Sequence, residues 1–244
     1  MLNKLCILFF SITVVFNQAG AEGIDFAEII KNIKPTKEEL LKENKRMQVV
    51  TKKANNGNMN AQYELGLYEN SRGNGTVAAV WFLAAAQQGL AEAQFKIGQK
   101  EYIGRDIPQN KDNAITWFQM AGNQGHAEAQ IMSGFMYQNG EAGAKDDITA
   151  ANWYAKSIGS GDLRGRFLLA TMYANGSGVE KNLIIAYGLA NGTTFDPSFV
   201  SKLEDILTVE EKKLGQCLTR LISRNLSLDD AVIILDSPSL NGKC

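Results

Sequence analysis

Four stretches decide the fold: GNMNAQYELGLY (57–68), GLAEAQFKIGQK (89–100), GHAEAQIMSGFMY (125–137) and GDLRGRFLLATMY (161–173). They are copies of one stencil. Gly57, Gly89, Gly125 and Gly161 stand 32, 36 and 36 residues apart, and the same intervals separate Ala61, Ala93, Ala129 and Gly165, then Gly66, Gly98, Gly134 and Ala170. A second element follows in each copy. Ala78, Ala114, Ala150 and Ala186 are each 36 apart, with Trp81, Trp117, Trp153 and Leu189 three residues later. A fixed period of this length marks a repeat architecture. The unit is about 36 residues, and the first copy lacks four residues in its internal loop.

Each unit reads as two helices. In the first, Ala93, Ile97 and Lys100 fall at the spacing of one helical face, with Phe95 and Gly98 beside them. A glycine inside a helix costs about 1 kcal/mol against alanine, so its recurrence implies that close helix packing recovers the loss. Gly-, Asn- and Asp-rich loops follow: ENSRGNG, IGRDIPQNKD, NGEAGAKDD and NGSGVEKN. These are turn chemistry. The second helix carries the pairs Trp81-Phe82, Trp117-Phe118 and Trp153-Tyr154 and closes on a glycine that serves as its C-cap.

The combined pattern G-x-x-x-A-Q-x-x-L-G-x-x-Y, a Gly-rich loop, then A-x-x-W-[FY]-x-x-A-x-x-x-G, resembles the Sel-1-like repeat, a relative of the tetratricopeptide repeat. The resemblance covers residues 54–192. It implies an all-α fold, a right-handed α-solenoid of about four helix-turn-helix repeats with helical caps at both ends. The fourth unit departs from the stencil, with Gly165-Arg166 in place of Ala-Gln and Leu189-Ala190 in place of the Trp-aromatic pair. It reads as a degenerate terminal repeat.

The flanks suit the capping that a solenoid's exposed ends require. Residues 24–33 are amphipathic, Pro35 interrupts them, and Thr36 with Glu39 forms a capping box for a helix running toward Lys53. Thr208 and Glu211 open another helix with Leu214, Leu218, Leu221 and Ile222 along one face. The run from Ala231 to Leu235 reads as a short strand or a buried helical turn. At the N-terminus, Lys4, the apolar run Leu5 to Phe16 and Ala19-Gly20-Ala21 form the pattern of a secretory signal peptide. A dozen apolar residues fall short of the roughly 20 that span a bilayer, so a membrane anchor is the weaker reading. The expected organisation is a signal peptide at 1–21, N-terminal capping helices at 22–53, four repeats at 54–192 and a C-terminal helical cap at 193–244. The expected location is the periplasm.

The mature chain would keep two cysteines, Cys217 and Cys244, in a compartment where disulfides persist. An internal bridge is the leading reading, with an intermolecular bridge or two free thiols competing. With 25 Lys and Arg against 26 Asp and Glu over the whole sequence, the chain lacks the basic excess of a general nucleic-acid binder. One histidine and two distant cysteines do not supply the ligand set of a structural zinc site. No cofactor is implied. The lone histidine, His126, shares its column with Leu90 and Asp162, so it reads as a surface residue at a helix start rather than a base. Glu128 reads as first-turn polarity. Gly73-x-Gly75 and Gly176-x-Gly178 lie in inter-helix loops and lack the remainder of a phosphate-binding motif. Some secreted cysteine-rich relatives of the repeat have been assigned β-lactamase activity. Those have a cysteine pair in each repeat, whereas this chain has none inside its repeats, and neither G-x-S-x-G nor S-x-x-K occurs.

Surface is what remains. In the solenoid that the resemblance implies, the first helices line the concave, binding side, and columns that change between units carry specificity. Those columns are Glu64, Lys96, Met132 and Leu168, and Leu67, Gln99, Phe135 and Thr171. Met132, Phe135 and Leu168 form an apolar patch if exposed and part of the packing if buried. The expected function is non-enzymatic binding of another protein, either a secreted toxin or effector that an immunity protein would neutralise, or an envelope protein served by an adaptor or signalling regulator. A β-lactamase-like hydrolase is the less favoured alternative.

Overall fold

The computed structural model describes residues 37–224 together with 227, 228 and 232. These residues form eleven helices: α1 (Lys37–Asn55), α2 (Met59–Ser71), α3 (Gly75–Gln87), α4 (Ala91–Ile103), α5 (Lys111–Asn123), α6 (Ala127–Gln138), α7 (Asp147–Gly159), α8 (Leu163–Asn175), α9 (Leu183–Ala190), α10 (Pro197–Ile206) and α11 (Val209–Ser223). The fold is an all-α solenoid of helical hairpins. No strand occurs among the described residues. The segment read as a signal peptide, residues 24–33, Thr36, Cys244 and all of Ala231–Leu235 except Val232 lie outside them.

The chain divides into two compact units, Met1–Trp81 and Phe82–Cys244. In the first, α1 lays Met47, Val50 and Ala54 on Ala61 and Leu65 of α2, with Tyr68 and Trp81 packed alongside. The spacing of 47, 50 and 54 puts these side chains on one helical face. In the second, Phe95, Ala114, Ile115, Phe118, Ala121, Ala129 and Met136 form one core. Tyr154, Leu169, Met172, Leu189, Leu218 and Ile222 belong to another.

Two glycine columns serve two different purposes. Gly125 has φ 88°, a left-handed conformation that glycine adopts without penalty. Its N–H donates to the Gly122 carbonyl at 3.0 Å, and the His126 N–H donates to the Ala121 carbonyl at 3.1 Å. This is the Schellman termination of a helix, so the closing glycine stands one residue beyond the C-cap proper, Gln124. The same bond pair recurs around Gly57, Gly89 and Gly161. The mid-helix column is steric instead. A Cβ on Gly98 would lie 2.9 Å from the Phe118 ring, and one on Gly134 would lie 2.6 Å from the Tyr154 ring. Phe118 and Tyr154 are fully buried there.

The glutamine of the stencil ties each hairpin to the helix before it. Gln62, Gln94 and Gln130 are buried, and their Nε2 groups donate to the carbonyls of Ala54, Ala86 and Gly122 at 3.2, 3.2 and 2.8 Å. Each of these carbonyls also accepts the Schellman glycine N–H, so both lone pairs are used. Gln94 Oε1 and Gln130 Oε1 in turn accept from Gln124 Nε2 at 2.8 Å and Ser160 Oγ at 3.0 Å. Sequence patterning identified the column but not this role.

The C-terminal part adds an unexpected helix and completes an expected one. Asp196 caps α10, accepting from the Ser198 and Phe199 N–H groups at 3.0 and 3.1 Å, with Pro197 at the first helical position. Proline is favoured there, and the Asp-Pro pair was the overlooked signal. Helix α11 opens on the anticipated capping box of Thr208 and Glu211, with both reciprocal bonds present. It approaches α9 closely, since a Cβ on Gly188 would lie 2.7 Å from the Gly215 carbonyl oxygen. Thr219 Oγ1 donates to the Gly188 carbonyl at 2.8 Å.

Candidate partner-binding surface

The variable columns lie on α2, α4, α6 and α8, and their side chains are not equally available. In the first unit, Glu64 is half-buried and pairs with Arg46 of α1. Leu67 is exposed. In the second unit, Lys96 is half-buried with its ammonium 5.6 Å from the Phe95 ring centre, a cation–π contact within the usual range. Gln99 is half-buried. Met132 is half-buried and packs against the core around Phe118, whereas Phe135 is 39% exposed. Leu168 packs against the core around Tyr154. Thr171 spends its hydroxyl on the Leu168 carbonyl at 2.7 Å. The apolar trio therefore splits. Phe135 faces water, and Met132 and Leu168 each share their surface with the core.

A polar network closes the helix ends beside this face. Lys111 Nζ lies 3.0 Å from Glu141 Oε1, and Tyr102 also bonds to Glu141. Burial, then the Glu141 bond and charge, push the Tyr102 hydroxyl up to about 12. Burial works to raise the Glu141 carboxyl too, but the bonds from Tyr102 and Lys111 hold it below its ordinary value. Glu101 is raised by burial, which outweighs its bonds from Asn113 and Trp117. The network joins residues 30 apart in sequence, so its chemistry goes into holding neighbouring hairpins together.

His126 is at a helix start, as its column predicts, and is half-buried rather than fully exposed. It is the half-buried N-cap of α6, where Nδ1 accepts from the Ala129 N–H at 3.3 Å. Its ring lies 4.5 Å from that of Phe95. Asn58 and Asp162 cap α2 and α8 from the same column, while Leu90 makes no side-chain cap bond. Burial lowers the imidazole pKa, against the opposing pull of Glu128 and Glu92. A nitrogen committed to a backbone N–H is poorly placed to act as a base. Glu128 is exposed in the first turn of α6 and pairs with Arg164 one repeat later at 3.2 Å. Among the described residues, no group of three or more His, Cys, Asp or Glu side chains is placed to hold a metal ion. No helix among them is long and apolar enough to cross a membrane.

The fourth unit handles its altered column differently. Arg166 is buried where glutamine is usual, and its Nη2 donates forward to the Gly188 and Asn191 carbonyls at 3.3 Å each. The guanidinium thus meets the negative end of the α9 dipole. Cys217 is buried on α11.

Hairpins in register, tied by a recurrent glutamine and followed by the distinct helices α10 and α11, define a helical repeat protein whose variable side chains ride on its first helices. The chain belongs to the Sel1 repeat family: that family model matches residues 60–90, 91–126, 127–162 and 164–190. Among solved structures, a Sel1 repeat protein from Oxalobacter formigenes is similar at 26% identity and a TM-score of 0.54, over 72% of this chain and 49% of that one. A protective antigen of uropathogenic Escherichia coli displaying an SLR fold, c5321, is similar at 20% identity and a TM-score of 0.46, over 76% of this chain and 49% of that one. The chain thus spans about half the length of these two relatives. No curated protein matches. Sel1 repeats generally serve as protein–protein interaction modules, and their fold is typically a non-enzymatic scaffold.

Proposed function

We propose that this protein is a non-catalytic binding module of the periplasm that recognises another protein through the first helices of its second compact unit, α4, α6 and α8, with α6 carrying the anchor. The observation that carries this reading is on α6. Met132 and Phe135, three residues apart and so on one helical face, show apolar surface at columns the packing stencil leaves free, and Phe135 is 39% exposed. An aromatic anchor on a rigid helix is the kind of residue that dominates protein interfaces. Within this class, the favoured role is an immunity protein that neutralises a toxic effector delivered to the periplasm, because a small array closed by its own cap suits an inhibitor that occludes its target. An envelope adaptor or signalling regulator is the alternative. A bridge between Cys217 and Cys244 belongs to the same reading, since it requires an oxidising compartment.

The test is a pull-down from periplasmic extract with the mature chain, beside the double variant Met132→Asp with Phe135→Asp. We expect the wild type to retain a specific protein and the variant to lose it by tenfold or more. Recovery of a secreted toxin supports the immunity role, and recovery of a sensor kinase supports the regulatory one. A partner held equally by the variant would refute the α6 face.

A further inference from the structure

The single histidine occupies a position that its column does not require to be histidine, since Asn58 and Asp162 cap the equivalent helices. What histidine alone adds is a proton that can be taken up near neutrality. As the Ala129 N–H points at Nδ1, the neutral ring must carry its proton on Nε2. Protonation would place a second donor at Nδ1 facing that N–H, so the cap acceptor would be lost. One face of the half-buried ring also lies against Phe95 of α4, from the preceding repeat, and a charge there is less well solvated than in water.

We infer that the seam between α4 and α6 is a proton-sensitive joint, closed while His126 is neutral and loosened when it is protonated. The charged groups facing the ring are few. From α4 come Glu92 and Lys96, which act in opposite directions, and from α6 comes Glu128. Glu128 is already engaged by Arg164. The second half of α5, Ile115–Asn123, carries no charged residue. Burial is the largest influence on the ring and favours its neutral form. As pH falls through about 6.5, the unfolded chain therefore takes up the proton first, and stability present above that pH is lost below it. Because α6 carries Met132 and Phe135, acid would weaken presentation of the binding face. Only that last consequence rests on the proposed function.

The experiment uses the full mature chain without a histidine tag, so that its one imidazole gives one titrating NMR signal. His126→Asn keeps a cap acceptor that does not titrate, and His126→Ala removes the cap at every pH. Between pH 7.5 and 5.0, the wild type should lose about 2–4 °C more in melting temperature than His126→Asn. The Ala129 amide should lose exchange protection in the wild type alone, and the imidazole should titrate below 6.5. Parallel losses in wild type and His126→Asn, a midpoint at or above 6.5, or an unchanged melt for His126→Ala at pH 7.5 would each overturn the joint. All of these readouts are taken on the chain without a partner, so the joint is tested whether or not a partner is found.

Discussion

A glycine in this chain can be a steric necessity or an unused freedom, and the two make opposite predictions. Gly134 lies under the buried Tyr154 ring, where a Cβ would come within 2.6 Å. Gly134→Ala should therefore cost about 1–3 kcal/mol of overpacking, partly offset by about 1 kcal/mol of helix propensity. Gly159, in the last turn of α7, has nothing within 4 Å of its would-be Cβ. Gly159→Ala should stabilise by about 0.5–1 kcal/mol. Parallel thermal melts of the two variants check the pair, and equal effects would refute the steric reading of the column. Both residues look alike as letters, and only the register of Gly134 with Gly66 and Gly98 hints at the difference.

Helix boundaries were legible wherever the cap chemistry is local. Thr208 and Glu211 marked the start of α11 because their bonds lie within one turn. Asn110, Asp146 and Asn182 form an equally regular column of caps for α5, α7 and α9, less conspicuous in the sequence than the glycine and tryptophan columns. Helix α10 has the same kind of local signal, Asp196 at its cap and Pro197 at its first position, but lies outside the repeat register. Buried Cys217 sits midway along α11, so the proposed bridge to Cys244 would pin the last segment to that helix. Closing a loop of about 27 residues in this way contributes roughly 3 kcal/mol. Mass spectrometry of unreduced peptides should find the Cys217 peptide joined to the C-terminal one. Recovery of both peptides as free thiols from periplasmic protein would remove the bridge.

Stability in a repeat array is carried by nearest neighbours, and the second compact unit offers a direct test. Arg166 contributes two charge-assisted bonds to the end of α9, while the Gln94 and Gln130 links to α3 and α5 do not involve it. Arg166→Gln restores the stencil residue but shortens the reach. It should cost about 1–3 kcal/mol, felt as faster amide exchange in α9 and α11 with α4 to α6 unchanged. A uniform rise across the unit would show that the repeats unfold together.

The repeat period, the hairpin in each unit and the identity of the packing columns were set by the sequence alone, because periodicity and cap chemistry act over a few residues or recur at a fixed interval. The candidate face was legible only as a set of columns. Whether Met132 and Leu168 meet water or the core depends on side chains of neighbouring helices, the core around Phe118 for one and the core around Tyr154 for the other. His126 shows the same limit. Its column announces a helix start, but Phe95, which shares a core with Ala129 and Met136 of α6, lies against the ring and makes it a half-buried cap. Tertiary packing decided exposure and protonation because both depend on what lies within a few ångströms in space, which a repeat register only partly fixes.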